Sequence, residues 1–284
     1  SSVAEFEYCG YKIYDGKPGL RGLPATYSEN DAQTLEITLE DKYTGLRAIL
    51  VYSVFEEYDV ITRSIRYENN GSETILLKIC MSATVDFFGT DKKVLNLYGD
   101  WAQERNIEWR EVGHSITEID SKRGMSSHMR NPFIAIADKT ADENSGDVYA
   151  MSLVYSGSFS ASTEGSFVGG TRMNIGINPF DFGWELKSKE DFVTPEAVLV
   201  YSDSGLGKMS RIYHKIYRER LCRGKFRDAE RPTIINNWDA TVFDFDEEKI
   251  LKIAKRGAEA GIEMFVLDDG WFGKRNDDHS SLGD

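Results

Sequence analysis

From residue 34 to residue 203 the chain alternates apolar and polar positions in short runs. TLEITLE (Thr34–Glu40) is followed by LRAILVYSVF (Leu46–Phe55), DVITRSIRYENNG (Asp59–Gly71) and TILLKICMSATVDF (Thr74–Phe87). PFIAIAD (Pro132–Asp138), VYAMSLVYSGSFSAS (Val148–Ser162), TRMNIGIN (Thr171–Asn178) and AVLVYSD (Ala197–Asp203) continue the series. Period-two runs rich in β-branched and aromatic residues, broken by turn residues, predict antiparallel strands. YENNGSET (Tyr67–Thr74) contains an Asn-Gly pair that predicts a turn. So many short strands within residues 1–205 predict a mainly β domain, two large antiparallel sheets packed as a sandwich. No fixed-period repeat supports a propeller or solenoid.

The period then changes. In LGKMSRIYHKIYRERL the apolar residues Met209, Ile212, Tyr213, Ile216 and Tyr217 fall at helical spacing, with Ser204 and Ser210 as candidate N-caps. RGKFRDAERP (Arg223–Pro232) is polar. Residues 206–231 therefore read as a linker helix and connector ending near Arg231. Beyond Pro232, TIINNW (Thr233–Trp238) is a short apolar run. FDFDEEKILKIAKRGAEAG predicts a helix with Asp246 as N-cap, Ile250, Ile253, Ala254 and Ala258 as its apolar stripe and Gly261 as its stop. IEMFVLDDG is a second strand. Strand, helix and strand at this spacing form a βαβ unit over 232–284, with parallel strands. Ligand groups in such units gather at the C-terminal strand edges. One edge carries Asn236, Asn237, Trp238 and Asp239, the other Asp268, Asp269, Gly270 and Trp271.

Charge narrows the choice of partner. The net charge is −13, without a long basic run, which argues against nucleic acid and anionic membrane surfaces. Cys9, Cys80 and Cys222 are far apart and show no Cys-x-x-Cys spacing. Neither a cysteine zinc site nor a disulfide framework is expected, and a reducing cytoplasm is the easier setting. SSVAEFEYCG is no signal peptide, and no apolar run approaches the ~20 residues that span a bilayer. The missing initiator Met and the abrupt SSLGD ending suggest a piece of a longer protein.

Asp268 and Asp269 are the leading candidates. Neighbouring side chains on a strand point to opposite faces, so the two are poorly placed to flank one glycosidic bond as acid and nucleophile. At a strand end both can still reach one ligand. Carboxylates are strong acceptors for sugar hydroxyls, and Trp271 offers a flat apolar face. An acidic βα turn capping the next helix is the alternative. Trp238 beside two amides suits carbohydrate contact, or packing under a loop. RNDDHSSLGD supplies Asp277, Asp278, His279 and Asp284, but at neither a calcium-loop spacing nor a two-His-one-carboxylate spacing, so no metal is expected. No Gly-x-Ser-x-Gly elbow or phosphate-cradling glycine loop is present.

RPTIINNWDATVFDFDEEKILKIAKRGAEAGIEMFVLDDGWFGKRNDDHSSLGD resembles the start of the catalytic barrel of bacterial α-galactosidases of glycoside hydrolase family 36, the melibiases. GLPATY, YDVITRS, SSHMRNPFIAI, GINPFDFGWEL, TPEAVLVYSDSG and MSRIYHKIYRERL resemble that family's N-terminal β-supersandwich, so the likeness covers nearly the whole chain. It implies a supersandwich, then a (β/α)8 barrel of which only the first βαβ is here, and a C-terminal β domain. It implies retaining hydrolysis of terminal α-galactose from melibiose, raffinose and stachyose, no cofactor, and a homo-oligomer, often a tetramer. Asp268 and Asp269 would bind galactose hydroxyls and Trp238 would line the pocket, with Trp271 a further candidate. The nucleophile and acid/base, both aspartates, would lie on later strands, leaving no catalytic residue in this chain. An N-terminal segment that in relatives reaches a neighbouring subunit's active site is missing, and Asp239 stands where many relatives have Glu. A partial barrel cannot bury its faces, so Met264–Leu267 should be an exposed edge and the chain alone inactive. A non-catalytic carbohydrate-binding or oligomerisation module, or a relative with α-N-acetylgalactosaminidase or galactosyltransferase activity, are the alternatives.

Overall fold

The computed structural model describes residues 4–283. The first strands are β1 (Phe6–Asp15), β2 (Gln33–Asp41), β3 (Leu46–Phe55), β4 (Val60–Asn69), β5 (Ile75–Leu77), β6 (Met81–Phe88), β7 (Lys92–Asp100) and β8 (Gln103–Glu111). They continue as β9 (Thr117–Asp120), β10 (Arg130–Asp138), β11 (Val148–Val154), β12 (Phe159–Gly165), β13 (Gly170–Ile177), β14 (Trp184–Leu186), β15 (Asp191–Val193) and β16 (Glu196–Ser202). Helix α1 (Gly205–Arg220) follows, then β17 (Ile234–Asn236), α2 (Trp238–Thr241), α3 (Glu247–Glu259) and β18 (Met264–Val266).

A ten-stranded antiparallel sheet runs β1-β2-β3-β4-β16-β11-β10-β7-β8, with β15 beside β4. A four-stranded antiparallel sheet, β6-β13-β12-β9, lies against one of its faces, and β5 pairs with β14. This is the sandwich that the alternating pattern predicts. Two runs that read as continuous are divided between sheets. Thr74–Phe87 holds β5 and β6, and Val148–Ser162 holds β11 and β12. Alternation shows which face is buried, not which sheet a strand joins.

β10 shows how the core is layered. Ile134, Ala135, Ile136 and Ala137 are all 0% exposed. The two isoleucines pack with Phe159, Met173 and Ile175 of the small sheet. The two alanines cluster with Met209, Tyr213 and Ile216 of α1. Alternate side chains of one strand thus feed two cores, and the alanine face leaves room for the helix's tyrosine rings. The Tyr213 hydroxyl donates to Val198 O at 3.0 Å.

The helix expected within a linker is therefore part of the first unit's core. The described contacts divide the chain between Cys222 and Arg223, upstream of Arg231. Ser204 is the N-cap residue, but its side chain makes no capping bond. The free N–H groups of Leu206 and Gly207 instead donate to Asp142 O (2.9 Å) and Glu143 O (2.8 Å). That approach needs Gly205, whose φ is +73° and where a Cβ would stand 2.4 Å from Asp142 O.

In the second unit β17 and β18 pair in parallel, Ile234 opposite Met264 and Asn236 opposite Val266. α3 lies between them in sequence. Asp246 caps it, accepting from Lys249 N at 2.9 Å. Gly261 follows its end at φ +87°. The packed stripe differs at one place from the expected one: Gly257 is buried against Ile235 and Ile262, while Ala258 is exposed. Gly257 completes the 250, 253, 254, 257 spacing, but a residue without a side chain gives no apolar signal to read.

Candidate functional site

The parallel pair ends in a ring of polar side chains. Asn237, just past β17, is 0% exposed. Its Oδ1 accepts from Asp268 N at 2.9 Å, and its Nδ2 donates to Thr241 Oγ1 at 3.0 Å. One buried amide thus ties the two strand ends together. Asn236 Nδ2 donates to Asp268 Oδ2 at 2.6 Å, and Asp268 Oδ1 accepts from Asp269 N at 2.8 Å. A carboxylate offers about four acceptor positions, so Asp268 keeps open ones.

Asp269 has other partners. Its Oδ1 accepts from Gly270 N (2.7 Å) and Arg275 Nε (3.0 Å), and its Oδ2 from Arg275 Nη2 (2.8 Å). This fork on a carboxylate is the strong, orienting form of ion pair. The Arg275 guanidinium holds the Asp269 carboxyl below the usual carboxylate range, against a smaller desolvation effect, and the Gly270 N–H adds to it. Asp269 in turn raises the guanidinium's own value. Arg275 Nη1 also donates to Asp277 O (2.6 Å) and Ser280 O (3.0 Å), so one buried arginine ties the loop after β18 to the strand end. Gly270 makes this turn possible, with φ +93° and a would-be Cβ 3.0 Å from the Phe243 ring. The two aspartates thus engage different neighbours, in keeping with strand alternation.

Trp238 is half-buried and meets Phe243 edge-on at 5.0 Å between ring centroids. Trp271 is 64% exposed, with its ring against Phe272 at 5.3 Å. Among the described residues no hydrogen bond or ring contact joins either tryptophan side chain to the aspartates. Asp277 Oδ1 accepts from His279 N at 2.7 Å, which lowers the Asp277 value. Among the described residues no three His, Cys, Asp or Glu side chains gather to hold a metal ion, and Asp284 lies outside them. Sequence reading misses Arg275 and Asn237 as organising groups. A cation six positions from Asp269 inside an acid-rich loop is the one trace of the first, and burial of the second is invisible from its type.

Two family profiles match the chain: the glycosyl hydrolase family 36 N-terminal domain over residues 1–187 and Melibiase over residues 191–284. Alpha-galactosidase AgaA of Geobacillus stearothermophilus is 53% identical over the whole chain, which spans 39% of that protein's length. Alpha-galactosidase Mel36A of Lactobacillus acidophilus is 45% identical, again over the whole chain and 39% of its own length. The AgaA crystal structure superposes with a TM-score of 0.96, covering 100% of this chain and 40% of that one. Variants of AgaA have been solved in complex with stachyose and with raffinose.

Proposed function

We propose, from the premise that the chain belongs to glycosyl hydrolase family 36, that the protein it forms part of is a retaining α-galactosidase. The observation that carries this reading is the pair of strand-end carboxylates, held by Asn236, Asn237 and Arg275, within the stretch matched by Melibiase.

In this reading β17, α3 and β18 are the first βαβ of a (β/α)8 barrel. Asp268 and Asp269 sit at its C-terminal edge, where such barrels bind substrate. Asp268, with open acceptor positions, takes hydroxyl protons of a terminal galactosyl ring. Asp269 is kept ionised and fixed by Arg275 and offers its remaining lone pairs. Trp238 lines the pocket, and exposed Trp271 provides a ring face near its mouth. These groups bind and orient the sugar. Two further aspartates outside residues 1–284 act as nucleophile and as acid/base, across the ~5–5.5 Å that a double displacement needs. Melibiose, raffinose and stachyose are the proposed substrates, supported by the AgaA complexes. No cofactor enters the chemistry. The whole protein is proposed to work in the cytoplasm as a homo-oligomer.

The test is steady-state hydrolysis of p-nitrophenyl α-galactoside and of raffinose by the product of the whole reading frame. Turnover that falls at least 100-fold in Asp268→Ala supports the reading. No turnover on either substrate rejects it.

A further inference from the structure

A second polar site lies in the first unit, remote in sequence from the strand-end aspartates. The loop between β1 and β2 folds over one face of the ten-stranded sheet and roofs a cavity of about 180 Å³. Its inner end is a buried ion pair, Lys17 Nζ to Glu196 Oε2 at 2.6 Å, with side chains 3% and 2% exposed. Lys17 Nζ also donates to Thr26 O, and Glu196 Oε1 accepts from Thr26 N and Oγ1, each at 2.8 Å. The roof is therefore pinned to the sheet. Arg21 and Asp191 pair at 3.0 Å among the other lining residues.

The floor is a row of hydroxyls. Cross-strand register sets Thr34 opposite Ser53 and Ser53 opposite Thr62, with Ser64 two positions along β4 on the same face. Thr34 and Ser53 bond to each other at 2.8 Å, and Thr34 Oγ1 donates to Gly16 O. Of this row Ser53, Thr62 and Ser64 line the cavity; Thr62 and Ser64 are 2% and 5% exposed, and no described residue engages their hydroxyls. A sheet face under a loop is ordinarily filled with aliphatic side chains. These hydroxyls are not cut off from solvent, so a ligand entering the cavity can take up their hydrogen bonds in place of water.

We infer that this cavity binds a small neutral polyhydroxylated ring, a monosaccharide. The cations that line it are already matched, Lys17 by Glu196, Arg21 by Asp191 and Arg66 by Glu68 at 3.0 Å, so no surplus charge calls for an ionic ligand. The unengaged hydroxyls of Thr62 and Ser64 can each donate and accept, as sugar hydroxyls require. Val51, Leu20 and Val193 supply apolar wall for the C–H faces of a ring. The inference stands apart from the proposed galactose pocket, because its residues all belong to the first unit.

The test is titration of the 15N-labelled 284-residue chain with D-galactose, D-glucose and inorganic phosphate in separate NMR series. Either hexose should shift the amides of Gly19, Ser53, Thr62 and Ser64 saturably, with Kd on the order of 1 mM, and phosphate should not. The Thr62→Val/Ser64→Ala variant should bind about tenfold more weakly with an unchanged melting midpoint. If that pair does not fold, Ser64→Ala alone should weaken binding about threefold, less than one full hydrogen bond is worth. No saturable hexose shift, a response to phosphate instead, unchanged affinity in the folded variant, or shifts confined to residues 233–275 would each overturn the inference. The last outcome would leave the galactosidase reading intact.

Discussion

The two units of this chain hold their shape by different means. Up to Cys222, apolar side chains pack on both faces of the ten-stranded sheet around β10, with Phe159, Ile134 and Ile216 fully buried. From Arg223 on, Gly257, Asn237 and Arg275 are the buried residues among those described, while Ile234, Leu251, Met264, Val266 and Leu267 are exposed. Polar pins take the place of a core: Asn236 and Asn237 on Asp268, Arg275 on Asp269, Glu263 on Thr233 N. The first unit is a completed sandwich. The second is a strand edge whose geometry is set by hydrogen bonds while its apolar side chains stay exposed. A strand edge can be shaped by local hydrogen bonds without an apolar core of its own.

The largest effect that separates the units is a core truncation. Phe159→Ala should cost about 3–5 kcal/mol, read as a lower denaturation midpoint by far-UV circular dichroism. Hydrogen exchange of β17 and β18 should not change. An equal loss of protection there would mean that the units unfold as one. Next comes the buried amide. Asn237→Ala removes the acceptor of Asp268 N and should weaken the second unit locally by about 1–3 kcal/mol, seen as faster exchange at residues 266–270 with the first unit's midpoint unmoved.

The smallest effect is the acid response of the loop after β18. Asp269 has a folded value below the ordinary one, so its pairing stabilises the loop fully above the ordinary aspartate value near 3.9. That contribution is lost as pH falls through the depressed folded value. Amides of Gly270–Ser280 should therefore open in acid. Arg275→Met should open them at neutral pH and reduce the acid step to the part that Asp277, held by the His279 N–H, contributes. An acid step undiminished in Arg275→Met would remove Arg275 as the loop's anchor.

Much of the fold is written in local pattern. The β3 run is observed with its expected limits, Leu46–Phe55, and the βαβ with its Asp246 cap follows from strand length, helical stripe and capping chemistry. The division of Thr74–Phe87 and Val148–Ser162 between sheets is not legible, because pairing partners lie far along the chain. Nor is the place of α1. Its stripe predicts a buried face, but the β16 and β11 side chains that cover it together with the β10 alanines are brought there by sheet pairing. At the site, Asp268 and Asp269 stand out as a charged pair ending an apolar run. What distinguishes them, an amide on one and a guanidinium on the other, depends on loop closure. The unengaged hydroxyls of Thr62 and Ser64 were hidden within ordinary strand alternation.

The central claim is that Asp268 and Asp269 hold a galactosyl ring while other residues, outside residues 1–284, break its bond. It is tested most directly by p-nitrophenyl α-galactoside hydrolysis by the purified 284-residue chain beside the product of the whole reading frame. The account predicts no turnover above buffer for the chain and turnover for the whole product. Hydrolysis by the 284-residue chain itself, abolished by Asp268→Asn, would contradict it.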